Sequence, residues 1–82
     1  MVRVKILYFA QAREAAGTRS EYFNLDDQAS VSTVLSKAFT SHPKLNGIEK
    51  SIKIALNEEV TEENAKLHEG DRIALLPPVV GG

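Results

Sequence analysis

The absence of cysteine is the feature that most limits what this chain of 82 residues can fold into. Without cysteine there are no disulfides, no thiolate metal sites and no thiol nucleophile, so a hydrophobic core has to stabilise the fold. A chain of this length forms one core that buries roughly 60% of the unfolded surface, and it leaves no room for a second domain. We therefore expect a single domain over residues 1–82.

The charge balance argues against several classes of partner. Ten Lys and Arg residues stand against eleven Asp and Glu residues, which gives a net charge of −1. Nucleic-acid binding depends on cations that replace the counterions of the phosphate backbone, and this chain has no excess of them. The first residues lack the apolar segment of a signal peptide, and no run approaches the ~18 apolar residues of a membrane span. We expect a cytosolic protein that binds neither nucleic acid nor membrane.

Hydrophobic periodicity divides the chain into several strands and one main helix. Residues 2–9 alternate in side-chain character, as a strand does. Ser30 is a suitable helix N-cap, and the apolar residues after it recur at helical spacing until Pro43 ends the helix. The predicted elements are a strand over 2–9, a short helix over 10–16 that Gly17 ends, a strand over 19–25, the main helix from 30 to 41, a connection over 44–50, a strand over 51–57 that Glu58 and Glu59 turn, a short edge strand at Val60, and a strand over 72–76.

This order of elements suits a sheet with one helix packed across one of its faces. The economical architecture is an α+β fold of the β-grasp type with a mixed sheet. The face that packs on the helix forms the core, and the other face stays open. The predicted core comprises Val4, Ile6, Tyr8, Ile54, Leu56, Ile73 and Leu75 on the sheet and Val34, Leu35 and Ala38 on the helix. The predicted open face carries Leu7, Phe9, Val60, Ala74 and Leu76.

The segment after the last strand has the composition of a thin, apolar extension and reads Pro77-Pro78-Val79-Val80-Gly81-Gly82. The two prolines lack backbone donors, so strand pairing ends after Leu76 and the chain leaves the sheet in an extended form. Glycine at both final positions removes every Cβ that would block a narrow channel. We expect residues 76–82 to protrude as a tail and to bring the Gly82 carboxylate into the pocket of a partner.

The sequence suggests no active site within the chain itself. His42 and His68 have no second ligand at metal spacing, and we interpret them as solvent-exposed loop histidines. Gly70 belongs to a turn, since the glycine repeat and the lysine of a phosphate loop are missing. We expect no catalytic residue, no metal and no bound cofactor in this chain. A solvated polar edge explains the remaining carboxylate cluster better than an acid–base pair does, and its members are Glu58, Glu59, Glu62 and Glu63.

The chain resembles the small subunit of molybdopterin synthase, a family of ubiquitin-like sulfur carriers, over its whole length. The matching segments are residues 4–10, Arg13-Glu14 with Gly17-Thr18, residues 55–57 and residues 70–82. The Pro-Pro form of the tail is the specific part of this pattern. Arg72 stands where the family often has an acidic residue, and Val80 where it often has a small polar one. Neither departure changes the terminal glycines, so both leave the expected role intact.

The resemblance implies that the chain carries sulfur for the molybdenum cofactor. In such proteins an activating enzyme uses ATP to adenylate the terminal glycine, here Gly82, and a sulfur donor then replaces AMP to leave a thiocarboxylate. The thiocarboxylate enters the large catalytic subunit of the synthase, with which the carrier forms a heterotetramer. There it supplies sulfur to cyclic pyranopterin monophosphate for the dithiolene of molybdopterin. General chemistry agrees, because a carboxylate must become an activated acyl group before sulfur can attack it.

Phe9, Val60 and Leu76 are the residues that we expect to contact the large subunit, since they point away from the helix and lie near the tail. Two alternatives remain open. One is another β-grasp carrier, either the sulfur carrier of thiamine synthesis or the modifier that thiolates tRNA, which share the Gly-Gly end. The other is a non-catalytic ubiquitin-like interaction module whose tail is captured as a ligand. The Pro-Pro pair and the chain length favour the molybdenum cofactor branch.

Overall fold

The structure is a computed structural model, and it describes residues 1–77. Within this range the chain forms five strands, two α-helices and two short 3₁₀ helices. In chain order these are β1 (Val2–Tyr8), α1 (Ala10–Ala16), β2 (Ser20–Leu25), α2 (Val31–Ser41), the 3₁₀ helices Pro43–Gly47 and Glu49–Ser51, β3 (Lys53–Leu56), β4 (Glu59–Val60) and β5 (Arg72–Leu76). The predicted element types and their order are confirmed.

The five strands of residues 1–77 form one mixed sheet in the order β2-β1-β5-β3-β4. The two central strands, β1 and β5, run parallel to each other, and all other pairs are antiparallel. Parallel neighbours need a long crossover, and here α2 lies within that crossover and covers one face of the sheet. The expected α+β fold, a mixed sheet packed on one main helix, is therefore confirmed.

The main helix begins and ends where the sequence predicts. Its first turn is held by the Ser30 backbone N–H, which donates to Oγ1 of Thr33 at 3.2 Å. It ends at Ser41, ahead of Pro43, with the His42 N–H bonded to the Ala38 carbonyl at 2.8 Å. Its 11 residues make it the longest helix of the described part of the chain, and none of the helices there is long and apolar enough to cross a bilayer.

The core lies between α2 and the covered face of the sheet. Eight of the ten predicted core residues are at most 5% exposed, whereas Ile54 and Leu56 are only partly buried and pack on its rim. The connection after α2 also contributes to the core, which the sequence did not predict. Its two 3₁₀ helices place Leu45 in the core with no exposed surface. Other buried residues outside the predicted set are Ala12, Leu25, Ala29, Val31 and Leu67.

The turn after β3 was predicted one residue too late. Asn57 and Glu58, not Glu58 and Glu59, occupy the turn, and both have positive φ, 51° and 75°. A two-residue hairpin turn of this kind follows the twist of its strands, and asparagine accepts the left-handed conformation well. Glu59 instead begins β4, where it pairs with Leu56.

The Gly70-Asp71 pair is a structural turn, as expected for Gly70. Gly70 has a φ of 84°, and its N–H donates to the Arg3 carbonyl at 2.9 Å. The Asp71 carboxylate accepts from the His68 N–H at 2.7 Å and from the Asn57 amide at 2.9 Å. These bonds fix the start of β5 against β1 and against the β3–β4 turn.

Candidate functional site

Parallel pairing brings the end of β1 next to the end of β5. Tyr8 is the register partner of Leu75, so Phe9, which follows β1, and Leu76, the last residue of β5, lie at the same edge of the sheet. Pro77 follows Leu76 directly and is the last described residue. Because β5 is the middle strand of the sheet, the tail begins at the centre of this edge. The remaining predicted tail residues, Pro78, Val79, Val80, Gly81 and Gly82, lie outside the described residues.

The open face contains an apolar depression beside the root of the tail. Strand register places Leu7, Ala74, Ala55 and Val60 side by side in one row across four strands. Two alanines in the middle of this row leave a hollow between larger neighbours. The depression has a volume of about 300 Å³, and its lining residues are Leu7, Phe9, Ala55, Glu58, Arg72, Ala74 and Leu76.

The three predicted interface residues all lie on this open face, but they do not form one cluster. Phe9 and Leu76 line the depression together, and the Phe9 residue is 46% exposed. Val60 is 73% exposed and pairs with Ala55 beyond the floor of the depression. It lines a separate concavity instead, together with residues 52–54 and 61–64. All three lie on the predicted face, whereas their role as a partner contact stays a prediction.

Ala55 is a site residue that the sequence did not reveal. It is only 6% exposed although it lies on the face opposite α2, and it meets Ala74 across β3 and β5. Alternation along β3 assigned Ile54 to the core and said nothing about its small neighbour. The available signal was the presence of alanine at both 55 and 74, since two small side chains on one face create room for a partner's side chain.

His42 is not the exposed loop histidine that the sequence predicted. Its side chain is 20% exposed, and its Nε2 lies 2.5 Å from Oε2 of Glu21. The Tyr8 hydroxyl donates to the same oxygen at 2.6 Å, and the Tyr8 and His42 rings meet edge to face. Burial raises the pKa of the Tyr8 hydroxyl well above its usual value, and Glu21 raises it further. This cluster is on the helix-covered side of the sheet, where it ties α2 to β1 and β2.

The other polar residues that the sequence singled out are exposed. The side chain of His68 is 73% exposed, and its Nδ1 lies 3.8 Å from the Asp71 carboxylate. The four glutamates predicted to form a polar edge, at positions 58, 59, 62 and 63, are exposed as expected. Within residues 1–77 no three carboxylate or imidazole groups come together in a way that would hold a metal ion.

Comparison with known proteins gives a consistent relationship. The model of the ThiS family matches residues 6–82. The molybdopterin synthase sulfur carrier subunit of Chlamydomonas reinhardtii is 37% identical over 99% of this chain and all of that protein. The structure of SAMP1 from Haloferax volcanii has a TM-score of 0.90 at 28% identity and covers 98% of this chain and 99% of that one.

A further solved structure is a protein–protein complex. It contains subunits 1 and 2 of the molybdopterin-converting factor from Helicobacter pylori, and one of its chains matches with a TM-score of 0.72 at 26% identity. The match covers 99% of this chain and 100% of that chain. Sequence and architecture thus agree over nearly the full length, and the chain belongs to the ThiS family, with the ubiquitin-like β-grasp fold.

Proposed function

We propose that this chain is the sulfur carrier subunit of molybdopterin synthase. The observation that carries the proposal is the place where the tail begins, at the end of β5. β5 is the central strand, it continues into the Pro-Pro segment, and it does so beside an exposed apolar depression. A partner that covers the depression would receive the tail from the same edge of the sheet. The likeness to sulfur carrier subunits over nearly the whole chain supports this function.

The reacting group in this proposal is the carboxylate of Gly82. A carboxylate oxygen attacks the α-phosphorus of ATP in an activating enzyme, pyrophosphate leaves, and an acyl adenylate forms. A sulfur nucleophile then attacks the acyl carbon, and AMP leaves with the electron pair of the broken C–O bond. The resulting thiocarboxylate is the better nucleophile and donates its sulfur in the large subunit. The carrier supplies no catalytic side chain and binds no cofactor of its own, and these steps belong to the cytosol.

The large catalytic subunit is the partner that we assign to the open face, with Phe9, Val60 and Leu76 in the contact. The complex of the two Helicobacter pylori subunits supports a partnership of this kind. Two carriers on a dimer of large subunits would give the heterotetramer. An activating enzyme would use the same tail, because both reactions need the terminal carboxylate in a narrow pocket.

Intact mass spectrometry tests the proposed chemistry. The chain is incubated with its activating enzyme, ATP and a sulfur donor, and its mass should rise by the replacement of one oxygen with one sulfur. Deletion of Gly82, or addition of one residue after it, should abolish this change and leave the melting temperature unaltered. An extended variant that accepts sulfur without being trimmed contradicts the assignment of Gly82.

The same experiment separates the alternatives. An interaction module whose tail is only a ligand would never acquire the sulfur mass. A carrier for thiamine synthesis or tRNA thiolation would acquire it but would not convert cyclic pyranopterin monophosphate when mixed with the large subunit. Formation of the dithiolene by loaded carrier and large subunit together is the result expected here.

A further inference from the structure

A cluster of basic residues occupies the end of the open face away from the tail. Lys5 is opposite Arg72 across β1 and β5, and it is opposite Tyr22 across β1 and β2. Arg3 is two residues before Lys5 and therefore on the same face. Its guanidinium carbon lies 4.2 Å from the centre of the Tyr22 ring, and the Lys5 ammonium lies 5.8 Å from it. We call Arg3, Lys5, Tyr22 and Arg72 the basic cluster.

The charges of the basic cluster are poorly compensated within the chain. In residues 1–77 no carboxylate lies within 4.0 Å of the Arg3 guanidinium or the Lys5 ammonium. Arg72 has Glu58 at 3.7 Å, but the Glu58 side chain is 88% exposed, so water screens this pair. Lys5 and Arg72 are like charges on one face of two neighbouring strands and repel each other. A carboxylate from outside would reduce this repulsion.

The basic cluster is continuous with the apolar depression. Arg72 lines the depression, and it also lines a concavity of about 400 Å³ with Arg3, Lys5, Tyr22, Glu69 and Gly70. A partner seated on the depression therefore removes water from Arg72. A charge that loses its water costs several kcal/mol unless it is compensated, and in residues 1–77 only Glu58 lies within 4.0 Å of any of these three cations. An anionic group of the partner would therefore complete the compensation of Arg72 and its basic neighbours.

We propose that the basic cluster is a second docking site, which binds an acidic segment of the large subunit that covers the depression. This inference rests on the proposed function. The depression provides apolar contact, and the basic cluster steers the approach of the partner and fixes its orientation on the sheet. The cation–π contacts with Tyr22 hold the Arg3 side chain over the ring before binding, which lowers the entropy lost on association.

An acidic protein segment fits the basic cluster better than RNA does. The chain has a net charge of −1, and binding to a phosphate backbone rests on releasing many counterions at once. Exposed carboxylates, such as those of Glu58 and Glu69, lie next to the basic cluster and would repel an extended polyanion. A short acidic segment can avoid them and still reach three cations.

The test measures association with the large subunit as a function of salt. Rate constants are determined by stopped flow from about 0.02 M to about 0.5 M NaCl for the unaltered chain and for the triple variant Arg3→Gln, Lys5→Gln and Arg72→Gln. The matched control replaces three exposed lysines on the other side of the molecule, Lys37, Lys44 and Lys50, with Gln and changes the net charge equally.

At low salt the cluster variant should associate roughly tenfold more slowly than the unaltered chain, and the difference should shrink to about twofold at high salt. The control variant should stay within about twofold throughout, because its charges lie away from the contact. The unaltered chain provides a measurement that needs no variant, since its rate must fall steeply with salt. Sulfur loading of all three proteins should be measured in parallel.

The outcomes are distinguishable. Equal association kinetics for the cluster variant and the control overturn the inference and leave the proposed function intact. Failure of the unaltered chain to bind the large subunit overturns both. A labelled RNA that binds the unaltered chain and not the cluster variant, with unchanged large-subunit kinetics, assigns the basic cluster to RNA and also overturns the inference.

Discussion

The replacement of Phe9 by Asp tests the role of the depression without disturbing the fold. Phe9 occupies the N-cap position of α1, with a φ of −118° and a ψ of 148°. Its carbonyl accepts the first helical hydrogen bond, from the Ala12 N–H at 2.9 Å. Asp is among the preferred N-cap residues, so Phe9→Asp should stabilise this helix end or leave it unchanged. The effect of the substitution should therefore fall on association.

The magnitude follows from the exposed fraction of Phe9. A Phe side chain buries about 150–250 Å² when it is fully enclosed, and 46% of this residue is exposed here. Roughly 90 Å² is therefore left for a partner to cover, which at about 25 cal/mol per Å² contributes about 2 kcal/mol. Loss of this contact raises the dissociation constant about thirtyfold. Phe9→Asp should exceed this value, because the partner would also have to desolvate a carboxylate.

Calorimetric titration of the large subunit with each variant gives the affinity directly. Phe9→Ala should bind the large subunit about thirtyfold more weakly than the unaltered chain, and Phe9→Asp more weakly still. Thr40→Asp is the matched control, since it adds the same charge at an exposed position on α2 and should bind normally. A folded Phe9→Asp variant that binds within about twofold of the unaltered chain would refute the docking role of the depression.

Two further predictions concern the tail and the cluster formed by Tyr8, Glu21 and His42. Folded Tyr8 keeps a proton that the unfolded chain releases near its ordinary pKa of 10.0, so the unfolding free energy should fall above that pH by up to about 1.4 kcal/mol per unit. Urea titrations of the control variant Tyr22→Phe, which keeps Tyr8, should show this fall in the unfolding free energy. An undiminished fall in Tyr8→Phe would contradict its assignment to Tyr8. Gly81→Val adds a branched Cβ, and it should slow adenylation and sulfur transfer in single-turnover assays with little loss of affinity for the large subunit. A normal reaction rate for this variant would remove the argument for a narrow channel.

The sequence predicted those features of the fold that local patterns determine. The alternation over residues 2–9 gave the first strand, which the structure ends one residue earlier at Tyr8. It also gave the buried face, because every second side chain of a strand points to the same side of the sheet. The Ser30 cap and the Pro43 stop bounded the main helix for equally local reasons. With one helix and one sheet, only a few arrangements bury both apolar faces, so the architecture followed from the elements.

Apart from the one-residue error at the Asn57-Glu58 turn, the errors fall where burial depends on residues distant in sequence. Nothing near His42 indicates that Glu21 and Tyr8 will surround its ring, since these come from two other strands. Leu45 is in a connection with a Pro and a Gly nearby, and only the packing of that connection on the fold explains its burial. The basic cluster was missed for the same reason, because sheet register alone brings Arg72 beside Lys5.

Alternation along β5 assigns folding stability and the proposed docking to different residues of one short strand. Ile73 and Leu75 have no exposed surface and pack under α2, so substitutions there should reduce folding stability. Ala74 and Leu76 point to the other face and line the depression, so substitutions there should act on association. The residues after Pro77 lie outside the described part of the chain, and the proposed chemistry takes place at their end. A carrier built in this way can change its partner surface, or its reacting end, while the core that supports both is left unchanged.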